Sequence, residues 1–133
     1  MKIPKRSTVK HRLWTLVSRY IRMKDAVDGY CTCVTCGVVK PINNMDAGHF
    51  VPRGAGDAVY FVEENIHPQC NTCNRFRGGN LIEYTRFMID TYGIEKVDEL
   101  RELAKNSAKN KITIQDLLDL ELEYKEKLNS LEH

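Results

Sequence analysis

Long apolar runs are missing from this sequence of 133 residues: no stretch approaches the ~20 consecutive apolar residues of a membrane-spanning helix, so no transmembrane segment is expected. The basic opening Met1-Lys2-Ile3-Pro4-Lys5-Arg6 leads into no apolar core, so no secretory signal is expected either. Internal repeats and low-complexity tracts are absent as well. Net charge is low, at +2, but one local absence is informative: residues 1–24 hold eight Lys/Arg and no acid, a local +8. Residues 25–94 and 95–133 each carry −3. Such a basic leading segment is the footprint of a phosphate-binding surface, or equally of a solvated helix face. What remains is a soluble composition, 42% hydrophobic and 29% charged, with enough apolar residues for one domain and one modest core.

Apolar spacing organises the chain. Val9, Leu13, Trp14, Val17, Tyr20 and Ile21 recur at three- and four-residue steps, predicting a helix over 7–27 that turns Arg12, Arg19 and Arg22 outward and ends at Asp28-Gly29. From residue 30 to about 69, short β-like pieces are broken by Gly, Pro and Asn. Residues 45–51 and 59–62 read as the two strands of a long-looped hairpin. Asn80 followed by Glu83 resembles a capping box ahead of a helix that Gly93 stops. Two helices follow within 95–131, the second opened by Thr113 and Asp116. Its stripe Leu117, Leu120, Tyr124, Leu128 and Leu131 would form a homodimer seam or cover the chain's own core. The single domain thus divides into a basic helix (7–27), a central core (30–93) and C-terminal helices (95–131).

Five cysteines are an odd count, and four stand in two Cys-x-x-Cys pairs, Cys33/Cys36 and Cys70/Cys73, separated by 33 residues. This favours an intracellular metal-binding chain over a disulfide scaffold. Two such turns complete a closed tetrahedral shell for Zn²⁺, which would hold the fold and leave no open position for chemistry. Two disulfides are the competing reading. Cys31 is read as a thiol that is not a ligand.

A second constellation lies between and just after the cysteines: Met45-Asp46-Ala47-Gly48-His49-Phe50-Val51-Pro52-Arg53, then Glu64-Asn65-Ile66-His67, and finally Cys73-Asn74-Arg75-Phe76-Arg77. It resembles the HNH (ββα-metal) nuclease superfamily. With the helix Leu13–Arg22, the knuckle Cys33–Gly37 and the segment Gly79–Tyr84, it resembles more narrowly the NinG (Rap) recombination proteins of lambdoid phages, from about residue 7 to the end. Many relatives of that kind carry a further cysteine-containing N-terminal segment, which these residues do not hold.

The resemblance implies an α+β fold with a small zinc-tethered ββα-metal core between the basic helix and the C-terminal helices. It implies His49 as general base, Asn65 as the middle Asn of the motif, and Asp46 and Asn74 as ligands of a catalytic Mg²⁺ or Mn²⁺. Gly48 departs from the pattern, which usually has Asp there, and Asp46 is the nearest acid on the same strand face. Asn65 would orient His49 or pin the hairpin. His67 would contact phosphate, substitute as a ligand, or serve only a turn. Arg53, Arg75 and Arg77, with Arg12, Arg19 and Arg22, would grip DNA. The implied activity is structure-specific cleavage of branched recombination intermediates in a phage-infected bacterial cytoplasm, with a homodimer as the expected assembly and phage or host recombination proteins as further partners. The rivals are a non-catalytic zinc module that recognises branched DNA and a protein-interaction adaptor docking through the acidic C-terminal helices.

Overall fold

The computed structural model describes residues 2–132. The first apolar stripe packs as its spacing requires: Val9, Leu13, Val17 and Ile21 share one face of α1 (Arg6–Met23) and are fully buried. Most of what they meet is α5 (Ile114–Glu132), whose Leu117, Tyr124 and Leu128 are buried. Thr113 and Asp116 cap α5 reciprocally, Thr113 N donating to Asp116 Oδ2 at 2.8 Å and Asp116 N to Thr113 Oγ1 at 3.0 Å. The stripe considered as a dimer seam is therefore closed on α1 of the same chain, with Leu131 left exposed.

Helix α1 stops at Met23 rather than near Val27. Asp28 and Gly29, with φ of 52° and 82°, belong instead to a tight turn joining Val27 to Tyr30, the conformation that Asp-Gly favours. The turn leads into β1 (Tyr30–Thr32), which pairs antiparallel with β2 (Val39–Pro41).

Strand β3 (Met45–His49) pairs antiparallel with β4 (Ile66–Cys70), in the register Met45↔Cys70, Asp46↔Gln69, Ala47↔Pro68, Gly48↔His67 and His49↔Ile66. The partner of β3 is thus not 59–62, which falls at the short helix α2 (Asp57–Tyr60) and just beyond it. Four apolar residues in a row fit a strand or a helical turn equally well. The real partner was masked by Pro68 and by burial of all five β4 residues, which leaves no alternation to read.

A single π-helical turn (Thr72–Phe76) follows β4, then α3 (Leu81–Tyr92) and α4 (Ile94–Lys105). Asn80 does not form the expected capping box with Glu83. It sits in the left-handed region (φ 49°), and its side chain donates to Cys73 Sγ at 3.6 Å. A second apolar cluster, including Phe50, Val51, Tyr84, Met88 and Leu100, joins the hairpin loop to α3 and α4; a third surrounds the cysteines. The arrangement is mixed α/β, with the β3–β4 hairpin at its centre.

Candidate functional site

Four sulfurs gather at the Met45/Cys70 end of the hairpin. Cys33 and Cys36 come from the turn between β1 and β2, while Cys70 ends β4 and Cys73 lies in the π-helical turn. Their Sγ atoms all lie within 4.8 Å of one another, and Cys36 Sγ and Cys70 Sγ are 3.7 Å apart. A Zn–S length of about 2.3 Å in a tetrahedron gives S···S separations near about 3.8 Å, so this donor set fits a structural zinc. None of the four is in a disulfide, and Cys31 is buried outside the set.

The electrostatics fit a cation as well. Burial opposes ionisation of Cys33, but hydrogen bonds from Thr35 and nearby backbone groups pull its pKa down to about 6. Cys36, despite a backbone hydrogen bond from Val38, is pushed up to about 12 by burial and its three sulfur neighbours. Ionisation is favoured at Cys33 and opposed at Cys36, and a cation among the sulfurs would favour it at both.

Beside this cluster a cavity of about 690 Å³ runs along the free edge of β3, between α1 and the π-helical turn. His49, Asp46 and Asn74 all line it, together with Trp14, Arg22 and Arg75. Asp46 and His49 point to opposite faces of β3, and they reach the same cavity because it follows the strand's unpaired edge. Cys73 immediately precedes Asn74, so the sulfur cluster anchors the segment that brings Asn74 to Asp46.

The ring of His49 packs in a triangle with those of Trp14 and Tyr60, its centroid 4.9 and 4.3 Å from theirs and theirs 5.2 Å from each other. Its Nε2 is 3.0 Å from Tyr60 O. A carbonyl can only accept, so in the neutral ring Nε2 carries the proton and the lone pair is at Nδ1. Asp46 Oδ2 accepts from Asn74 Nδ2 at 2.9 Å, and Arg75 grips both carboxylate oxygens at 2.9 Å. Asn71, with its amide nitrogen turned inward, adds donors at 3.0 and 3.2 Å.

Other expected site residues stand elsewhere. Asn65 is fully buried away from the cavity. Its Oδ1 accepts from Val51 N at 2.8 Å and its Nδ2 donates to Val51 O and Val59 O, so it pins the loop leaving His49. His67 is buried off the cavity, with both ring nitrogens hydrogen-bonded to tyrosines. Tyr84 OH donates to Gly48 O at 2.7 Å, so it accepts from His67 Nδ1–H, while Tyr92 OH donates to His67 Nε2 at 2.7 Å. Burial lowers the His67 pKa to about 3, which keeps the ring neutral. This network braces β3 at Gly48, and a lone His before Pro gave no signal of it.

On the basic helix, Arg12 and Arg19 are exposed as their spacing requires, and each forms a surface ion pair with α5, Arg12 with Glu121 at 2.8 Å and Arg19 with Glu132 at 3.1 Å. Arg6 and Lys10 pair with Asp57, and Lys24 with Glu63. Five of the eight bases in the leading segment thus pair with four acids from later in the chain. Arg22, which donates to Ile42 O at 3.0 Å, is the one of the three helix arginines on the cavity wall. Arg75 and Arg77 are exposed, and between them Phe76 is 83% exposed, an aromatic the sequence reading passed over. The Arg53 side chain lies outside the described residues. No helix among them is long and apolar enough to cross a membrane.

Comparison with known proteins agrees with this picture at family level. Residues 1–133 match the family described as Bacteriophage Lambda NinG protein. Over 115 residues the chain is 34% identical to Protein ninG of Escherichia phage lambda and 33% identical to Protein ninG of Salmonella phage P22, covering 86% of this chain and 53% of each relative. It therefore spans about half the length of these curated relatives. No solved structure matches.

Proposed function

The chain belongs to the bacteriophage lambda NinG family, and from that premise we propose that it is an HNH-type endonuclease that cleaves branched DNA intermediates of phage recombination. One observation carries the reading: His49, Asp46 and Asn74 converge on one cavity, with the His49 ring oriented by Tyr60 O. A closed sulfur set holding zinc has no open position, so the chemistry falls to this cavity.

Oxygen donors suit a hard divalent cation, and Asp46 and Asn74 would hold it. Bound there, Mg²⁺ or Mn²⁺ would stabilise charge on the scissile phosphate and on the departing oxygen. The chain's own residues do the rest. His49 Nδ1 takes a proton from the water that attacks phosphorus, the P–O ester bond breaks, and solvent protonates the leaving oxygen. Stacking on Trp14 and Tyr60 keeps the ring from turning. Arg22 and Arg75 meet the phosphate; once Arg75 leaves Asp46 for it, the carboxylate is released to the cation. Exposed Phe76, flanked by Arg75 and Arg77, suits stacking on a base left unpaired at a branch, and this favours branched over linear DNA.

A second reading, a non-catalytic zinc module for branched DNA, draws on the saturation of Asp46 by Asn71, Asn74 and Arg75. Incubation with labelled four-way junction, D-loop and linear duplex, with and without Mn²⁺, separates the two. The endonuclease cuts the branched substrates only with the ion. The binding module retains them uncut in every lane.

A further inference from the structure

Gln69 is fully buried, and among the described residues its Oε1 is the one buried side-chain oxygen or nitrogen with no hydrogen-bond partner. The amide is not free to turn this oxygen elsewhere. Its Nε2 donates to Gly79 O at 2.8 Å and to Thr35 Oγ1 at 3.1 Å, and reversing it would set two carbonyl oxygens face to face. A buried unpaired oxygen is a costly group to leave without a partner, so its place calls for an explanation.

Position 48 supplies one. Gln69 pairs with Asp46 across the hairpin, which puts both on the same face as Gly48. A Cβ built on Gly48 would collide with Gln69 Oε1, and Asn74 Oδ1 lies 3.1 Å from the same point. The space that a side chain at 48 would fill is thus taken by an oxygen from the facing strand. Asn74 has its Nδ2 committed to Asp46, which leaves its Oδ1 on the side of Gln69. Two amide oxygens approach one point beside the Asp46 carboxylate. Gln69 stands directly behind the cavity wall formed by Asn74 and Gly79. Neutral oxygens beside a carboxylate are the donor set a hard divalent cation prefers.

We propose that Gln69 is a third oxygen ligand of the divalent-cation site, its Oε1 delivered from β4 into the space left open by Gly48. The inference rests on the reading of Asp46 and Asn74 as cation ligands and adds to it a residue from the opposite strand. It also explains the glycine: any side chain at 48 displaces the ligand.

The test is titration of the full chain with Mn²⁺, followed by the paramagnetic resonance signal of the free ion. Gln69→Met keeps the bulk and removes the oxygen, and Mn²⁺ affinity should fall by at least the roughly 10-fold that even an outer-shell partner of a metal is worth. Gln69→Glu keeps an oxygen at the same point and should hold or tighten the ion. In wild-type crystals soaked in Mn²⁺, the anomalous peak should lie within coordination distance of Gln69 Oε1, an arm that requires no variant to fold. Wild-type affinity in Gln69→Met, or a peak held by Asp46 and Asn74 without Gln69, overturns the inference and leaves the cation site standing. A wild-type chain that binds no Mn²⁺ overturns both.

Discussion

Two donor clusters share one end of the β3–β4 hairpin and differ in almost everything else. The sulfur cluster is soft, largely buried and complete: four thiols within 4.8 Å, with every coordination position supplied by the chain. The oxygen cluster of Asp46, Asn74 and Gln69 is hard, borders an open cavity and has its carboxylate covered by an exposed arginine. A closed soft set fits an ion that stays and holds the fold. An open hard set fits one that exchanges and acts. The two are mechanically joined, because Cys70 and Cys73 flank Asn71 and adjoin Gln69 and Asn74. Fixing the sulfurs therefore fixes the oxygens.

The largest effect that can break this comparison is on the sulfur side. Structural zinc contributes on the order of 10 kcal/mol to a small fold, so Cys73→Ser should lose zinc by elemental analysis and helical signal by circular dichroism. A folded, zinc-free Cys73→Ser would remove the distinction. On the oxygen side, His49→Ala should keep zinc, fold and Mn²⁺ affinity while cleavage falls roughly 10²–10⁴-fold, measured on labelled junction DNA. Added Mn²⁺ should not rescue it.

A smaller effect comes from the hidden histidine. The folded His67 pKa is about 3 against an ordinary value of 6.5, so below pH 6.5 the unfolded chain binds a proton that the folded one refuses. Stability from this source is whole above pH 6.5 and declines, by up to about 1.4 kcal/mol per pH unit, as pH falls toward 3. Denaturant melts of His67→Gln should show a shallower acid slope than wild type; equal slopes would put the ring in contact with water.

Phe76→Ala should weaken binding to a branched substrate by about 1–3 kcal/mol per stacked base and leave linear duplex nearly unchanged, as read by fluorescence anisotropy. The smallest effect is at Arg75, whose exposed pair with Asp46 is worth about 0–1 kcal/mol. Arg75→Gln should tighten Mn²⁺ binding by up to about fivefold while reducing the salt slope of DNA binding by about 1. Opposite changes in the two affinities are the signature of one arginine shared between carboxylate and phosphate.

What the sequence disclosed follows from the range of each interaction. The cysteine pairs were legible because a chelating turn is local and its spacing is set by the metal. The α1 stripe and the Thr113–Asp116 cap were legible because they repeat within a turn or two. The ion pairs of Arg12 and Arg19 were not legible because their partners, Glu121 and Glu132, stand 109 and 113 residues away. The second hairpin strand was hidden by Pro68 and by complete burial. Gln69 offered no signal at all: its meaning depends on an absent side chain at Gly48 and on an unpaired oxygen, neither visible before the strands are in register.

The central claim is that the sulfurs hold one ion for the fold while the oxygens take another for the chemistry. The most direct measurement strips the full chain with EDTA to the point where zinc is retained and then follows cleavage of a labelled four-way junction as Mn²⁺ is added back. The account predicts no cleavage before addition and full return with Mn²⁺, at constant zinc content. Junction DNA that stays bound and uncut at every Mn²⁺ concentration, by a folded zinc-bearing chain, would contradict it.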